Sequence, residues 1–143
     1  MNFVSKFFEE LTTTELYEIM KARVNVFVVE QNCPYPELDD IDYESLHIYY
    51  ENAGHVQAYI RAFVKEPGTV QMGRVLTVDR GKGLGGTLLK EGLREIRSNF
   101  DLQKIYIEAQ TYAIGFYERE GFVVCSGEFL EDGIPHVKME LIL

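Results

Sequence analysis

The chain has 143 residues, 46% of them hydrophobic and 26% charged, a balance that suits one soluble globular domain, and no apolar run approaches the ~18 residues a membrane span needs. With 23 acids against 14 lysines and arginines, the formal charge is −9. General binding to nucleic acid or to an anionic membrane is thereby disfavoured, and any anionic ligand must meet a local cationic pocket. Cys33 and Cys125 are too few for a disulfide framework or a zinc ribbon, and no metal site is expected. The first residues reach acids and threonines before any long apolar block, which argues against a secretory leader, so a reducing cytoplasm is the expected compartment.

No repeat, low-complexity tract or linker divides the chain, and residues 1–143 read as a single unit. Phe3, Phe7 and Phe8 belong to an opening strand. Thr12 with Glu15 forms a Thr-x-x-Glu capping box, and Leu16, Ile19, Met20, Val24 and Phe27 then recur at helical spacing, predicting a helix to about residue 27. Two prolines and five acids mark the following stretch, with the acids between Glu37 and Glu44, as a loop long enough to bind a ligand or act as a lid. Strands are predicted at 46–51, 55–65 and 69–77, joined by turns at NAG and EPG into an antiparallel meander. A helix over about 84–98 places Leu84, Leu88, Leu89, Leu93 and Ile96 on one stripe, and KIYIEAQ alternates as a strand. Residues 112–120 form a short helix, and FVVCSGEFL and PHVKMELIL are the last two strands.

Between the strand ending near Thr77 and the helix starting near Leu84 lies DRGKGLGG, four glycines with Arg80 and Lys82. A helix N-terminus carries unsatisfied N–H groups and the positive end of the helix dipole, and glycines let a phosphate approach them. A solvated turn has the same composition. A Walker loop does not fit, because Thr87-Leu88 stands where Lys-Ser/Thr is required. A dinucleotide fingerprint does not fit either, because the three-stranded meander precedes the turn and no ribose-binding strand follows.

Arg80-x-x-Gly83-x-Gly85 resembles the pyrophosphate loop of the GNAT N-acetyltransferases. About thirty residues on, QTYAIGFYEREGF resembles that family's second motif, with Gln110 in place of Asn and with Ala113, Phe116, Tyr117, Gly121 and Phe122 present. RVNVFVVEQNCPY and EDGIPHVKM are similar to the ElaA-type branch of the superfamily, so the resemblance spans nearly the whole chain. It implies an α/β fold whose mixed, mostly antiparallel central sheet has a splayed strand pair and flanking helices. It further implies acetyl-CoA as co-substrate, direct acetyl transfer to a primary amine of a small molecule or peptide, and dimerisation as a family expectation. A non-catalytic acyl-CoA-binding module and a purely structural domain are the alternatives.

On this resemblance the cofactor lies on Arg80, Gly81, Lys82, Gly83, Leu84, Gly85, Gly86 and Thr87, with its arm between the strand holding Val75, Leu76 and Thr77 and the strand ending at Gln110. Ala113, Phe116 and Tyr117 border it. A backbone N–H near Val75 or Leu76 is the expected oxyanion donor, and Tyr117 the expected general acid, although a Phe-Tyr pair is also ordinary core. Glu30, His47, Glu108 and His136 are the candidate bases, with His136 ranked first because it stands where a turn enters a strand. The implied acceptor site comprises Glu30, Asn32, Tyr35, Asp40, Asp42, His47, Arg74 and His136. Cys33 shows no sign of an activated thiol, and direct transfer needs no acyl-enzyme. The acids of PELDDIDYE are either a solvated loop or a negative field that attracts a cationic amine; a calcium loop would need a glycine that is absent.

Overall fold

A computed structural model describes residues 1–143. In chain order it contains β1 (Asn2–Phe7), α1 (Thr13–Arg23), β2 (Leu46–Asn52), β3 (His55–Glu66), β4 (Gly68–Thr77), α2 (Leu84–Asn99), β5 (Leu102–Gln110), α3 (Ile114–Glu118), β6 (Val123–Val124), β7 (Phe129–Glu131) and β8 (Ile134–Ile142). The sheet order is β1-β2-β3-β4-β5-β8-β6, with β7 hairpinned onto β8. Every pairing is antiparallel except β4 with β5. No helix is long and apolar enough to cross a membrane.

Alternation along the strands divides the interior in two. Leu46, Ile48 and Tyr50 on β2 and Ala58, Ile60 and Ala62 on β3 face α2, which packs Leu88, Leu89, Leu93 and Ile96 against them. Tyr49 and Tyr59 point the other way, onto Ile19 and Ala22 of α1 and onto Val26. Both faces of these strands are therefore covered, which explains their nearly continuous apolar sequence.

Three features position the site. First, β4 and β5 pair only from Gly68–Leu102 to Gln71–Tyr106 and then diverge. Second, β4 carries a bulge. Tyr59 pairs with Leu76 but Arg61 pairs with Gly73, so three steps on β4 match two on β3, and Arg74 within the bulge has φ 51°. Third, α2 begins directly beneath the splay, and Gly85 in its first turn lies so close to β4 that a Cβ there would stand 3.1 Å from Thr77 Cγ2.

The capping box is formed as the sequence predicts, with Glu15 N donating to Thr12 Oγ1 and Thr12 N donating to Glu15 Oε1. The α-helix ends at Arg23 rather than Phe27, because VNVFVVE widens into a π-helical turn over Val24–Glu30. Its β-branched valines weaken the α preference there. Residues 112–120 are a 3₁₀ turn over Thr111–Ala113 followed by five α-helical residues, and Phe8 starts a 3₁₀ turn rather than extending β1. FVVCSGEFL is two short strands, broken where Ser126 Oγ instead of a strand carbonyl accepts the Lys138 N–H at 2.8 Å.

Candidate active site

The splay opens a cleft of about 350 Å³ whose walls are Gln71 to Val75 of β4 and Ile107 to Gln110 of β5. Facing backbone edges that part in this way leave peptide groups available to an extended ligand. Ala113 and Tyr117, Tyr35 and Asp39, and residues of the β7–β8 hairpin complete its lining. Tyr117 is 8% exposed, between the edge-on rings of Phe116 and Phe122 at 5.1 and 5.8 Å. Its hydroxyl has no partner within the chain, and burial pushes its pKa up, so it is a protonated donor at neutral pH.

At the foot of β4, Gly83 adopts φ 72° as the residue before α2, and a Cβ at Gly81, Gly83 or Gly86 would meet nothing within 4 Å. The first turn of α2 thus presents open space against its free N–H groups. Arg80 pairs with Glu30 at 3.0 Å and Lys82 with Asp79 at 2.5 Å, all four exposed, so both cations stay within reach of an anion. Phe116 reaches the same turn, bordering a shallow depression with Gly83, Gly86 and Thr87.

The hairpin end is acidic. The turn between β7 and β8 is Asp132-Gly133, both at positive φ, 51° and 77°, which is the two-residue turn that an Asp-Gly pair favours. It brings Glu131 to the cleft beside His136, whose Nε2 lies 3.4 Å from Glu131 Oε2. His136 is 7% exposed, with Nδ1 2.7 Å from the Ile134 carbonyl oxygen and its ring stacked on Phe129. Glu108, on β5, accepts a hydrogen bond from the Tyr106 hydroxyl at 2.7 Å and lines the same cleft as Glu131. Burial, the contact with Glu108 and the Glu108 charge push the Glu131 carboxyl up to about 7. Burial acts upward on Glu108 too but is outweighed by the hydrogen bonds from Glu131 and Tyr106, which hold that carboxyl low.

Of the residues the sequence singled out, Tyr35, Arg74, Val75, Glu108, Gln110, Ala113, Tyr117 and His136 come together at the cleft. Others do not. His47 is fully buried, with Nδ1 2.6 Å from the Tyr59 hydroxyl and Nε2 3.0 Å from the Asp42 carbonyl oxygen, so it is neither a base nor an acceptor contact. Glu30 is exposed on the side of the glycine turn, paired with Arg80, outside the cleft. Asn32 and Asp40 are exposed at positive φ, 49° and 67°, and also outside it. Asp42 is buried: Arg23 NH1 donates to its Oδ1 at 2.5 Å and Arg61 NH1 at 3.2 Å. The Leu76 side chain lies in the α1-side core.

The acidic loop is not a negative field. Glu37, Asp39 and Asp42 are taken up by Arg23, Arg61 and Arg74, with Arg61 bidentate on Asp39 at 2.8 and 2.9 Å and Arg74 Nε 2.9 Å from Glu37 Oε2. Arg23, the first residue of RVNVFVVEQNCPY, and Arg61 had no role in the sequence because each sits within a regular element. Glu131 and Asp132 lie in EDGIPHVKM but had no site role in the sequence, although the Asp-Gly pair between two strands was a hairpin signal.

Residues 10–143 match the family described as the acetyltransferase (GNAT) domain. A UPF0039 protein of Schizosaccharomyces pombe is 42% identical to the chain, the alignment covering 100% of this chain and 98% of that one. The crystal structure of an acyl-CoA N-acyltransferase from Pseudomonas aeruginosa superposes with a TM-score of 0.92 at 33% identity, over 98% of this chain and 99% of that one. Escherichia coli ElaA gives the same TM-score, 0.92, at 31% identity and the same coverage, 98% and 99%.

Proposed function

The chain belongs to the GNAT acetyltransferase family, and from that premise we propose that it transfers the acetyl group of acetyl-CoA directly to a primary amine, with Tyr117 as general acid. The observation that carries this reading is the alignment of three features: a β4–β5 splay, an open glycine turn at the foot of α2, and one buried phenol without a partner lining the cleft.

When bound, acetyl-CoA supplies an activated thioester. The open Gly81–Gly86 turn fits its phosphates, which Arg80 and Lys82 would hold with charge-assisted bonds, and the parted edges of β4 and β5 fit its extended arm. Around Val75 the backbone of β4 is the source of an oxyanion donor, a kind of contact typically worth about 2.7–4 kcal/mol. Tyr117 holds a proton at its hydroxyl until a sulfur anion needs it. His136 and Gln110 are cross-strand partners that border the acceptor side.

Because the Tyr117 hydroxyl bonds nothing within the chain, Tyr117→Phe leaves the fold intact. Acetyl-CoA affinity by calorimetry is expected to stay within a few-fold while thiol release with an amine panel falls about 10²-fold. Turnover equal to wild type moves the acid elsewhere. No heat of binding and no thiol release from the wild-type protein removes the proposal.

A further inference from the structure

The geometry points to Glu131, paired with Glu108, as the group that binds the acceptor as an ammonium cation and takes its proton. This rests on the acetyltransferase reading above and adds the base and the charge class of the acceptor to it.

Two independent observations meet in the cleft. One is a set of two carboxyls on a single cavity: Glu131 of β7, 3.4 Å from the His136 imidazole, and Glu108 of β5, two residues before Gln110, the cross-strand partner of His136. The other is Tyr117, more than nine-tenths buried, without a partner and bordering the same cavity. A donor and an acceptor of protons thus line one space, as transfer to an amine requires. The charges around Glu131 are Glu108 on β5, Asp132 in the turn, His136 on β8 and Arg74 on β4, with Lys65 and Lys138 acting on Glu108. Arg74 is already engaged by Glu37 and Asp39, at 2.9 and 3.3 Å. The hairpin end therefore keeps an excess of negative charge, which favours a cation and opposes an acceptor bearing a carboxylate there.

Two carboxyls lining one part-buried cavity do not both ionise readily, and the Glu131 carboxyl, raised to about 7, holds a proton below that value. Above that value both are anionic and Glu131 accepts one N–H proton of the bound ammonium, leaving a lone pair on nitrogen. Glu131 then gives the proton to solvent through the open mouth of the cleft.

The test has two parts. In the free protein, carbon-detected titration of the glutamate carboxyls is expected to show Glu131 titrating well above the ordinary carboxylate range, and shifting down towards it in Glu108→Gln while burial keeps it raised. An ordinary titration with no response to that substitution overturns the pair, whether or not activity is found. In the second part, acetyl-CoA is supplied with 1,4-diaminobutane, a cation at pH 7.5, or hydroxylamine, which is neutral there. Glu131→Gln is expected to slow kcat/KM about 10²-fold for diaminobutane and only a few-fold for hydroxylamine, and to lose the rise of kcat/KM through pH 7. Equal losses for both amines, or no loss, overturn Glu131 as base. Absence of thiol release from wild-type protein with every amine removes the acetyltransferase reading, and the carboxyl titration then decides the pair by itself.

Discussion

Gly83 and Gly86 stand three residues apart across the junction of loop and helix, yet substitution tests different things at each. Gly83 needs its positive φ, so any side chain there strains the backbone as well as blocking the turn. Gly86 is already helical and open, in the first turn of α2, where a carboxylate suits the helix dipole. Gly86→Glu is therefore expected to melt at or above the wild-type temperature while losing at least tenfold in acetyl-CoA affinity, read by calorimetry. Unchanged affinity would show that the phosphates do not lie on this turn. At this scale the sequence was legible where a residue belonged to a spaced motif, as Arg80, Gly83 and Tyr117 do. It was opaque where the role depends on a partner far along the chain. Glu131 and Glu108 are 23 positions apart (131 − 108 = 23), and only the pairing of β5 and β7 with β8 makes them neighbours.

Among the elements, the 37–44 segment shows how composition misleads. Five acids in one loop read as solvated or as a bait for cations, but Arg23 is fully buried and holds two of them, its guanidinium 5.7 Å from the Tyr59 ring. An arginine between Ala22 and Val24 breaks the apolar stripe of α1, and this is the one local sign that the stripe ends on a charged partner. Arg23→Met leaves Glu37 and Asp42 short of a buried partner, and a loss of about 3–5 kcal/mol is expected in urea unfolding. A loss below 1 kcal/mol would mean that Arg61 and Arg74 hold the loop without it. Strands and helices with clean periodicity were otherwise readable to within a residue or two: β2, β3, β4 and α2 fall at 46–52, 55–66, 68–77 and 84–99 against 46–51, 55–65, 69–77 and 84–98. The π-helical turn and the break at Ser126 were not, because one depends on a widened backbone hydrogen-bond pattern and the other on a side-chain hydroxyl accepting a backbone N–H, and no periodicity encodes either.

For the molecule as a whole, charge and burial set an acid-sensitive stability. His47 accepts from the Tyr59 hydroxyl at one ring nitrogen and faces the Asp42 carbonyl with the other, an arrangement that suits neutral imidazole, and burial depresses its pKa below 6.5. Its contribution is complete above that pH and lost as the pH falls through the folded value. Asp39 and Asp42 are also depressed, since burial is outweighed by their arginines, so their contribution goes below about pH 4. Glu131 has the opposite sign. Raised to about 7, it binds its proton more tightly when folded, and so stabilises the fold as the pH falls from 7 towards 4.5. Glu131→Gln removes that offset, and unfolding free energies are expected to drop more between pH 6.5 and 4.5 in the variant than in wild type. Superimposable curves would show that the Glu131 carboxyl is not raised in the folded protein. The bulge in β4 sets a further condition, because it acts on the strand as a frameshift acts on a message. Before it, Val70 and Met72 read out to the α2 side; after it, Val75 serves that side and Leu76 the other. The single extra residue at Arg74 is what lets one strand be spelled in two frames, so the chain tolerates a change of letter there more readily than a change of length.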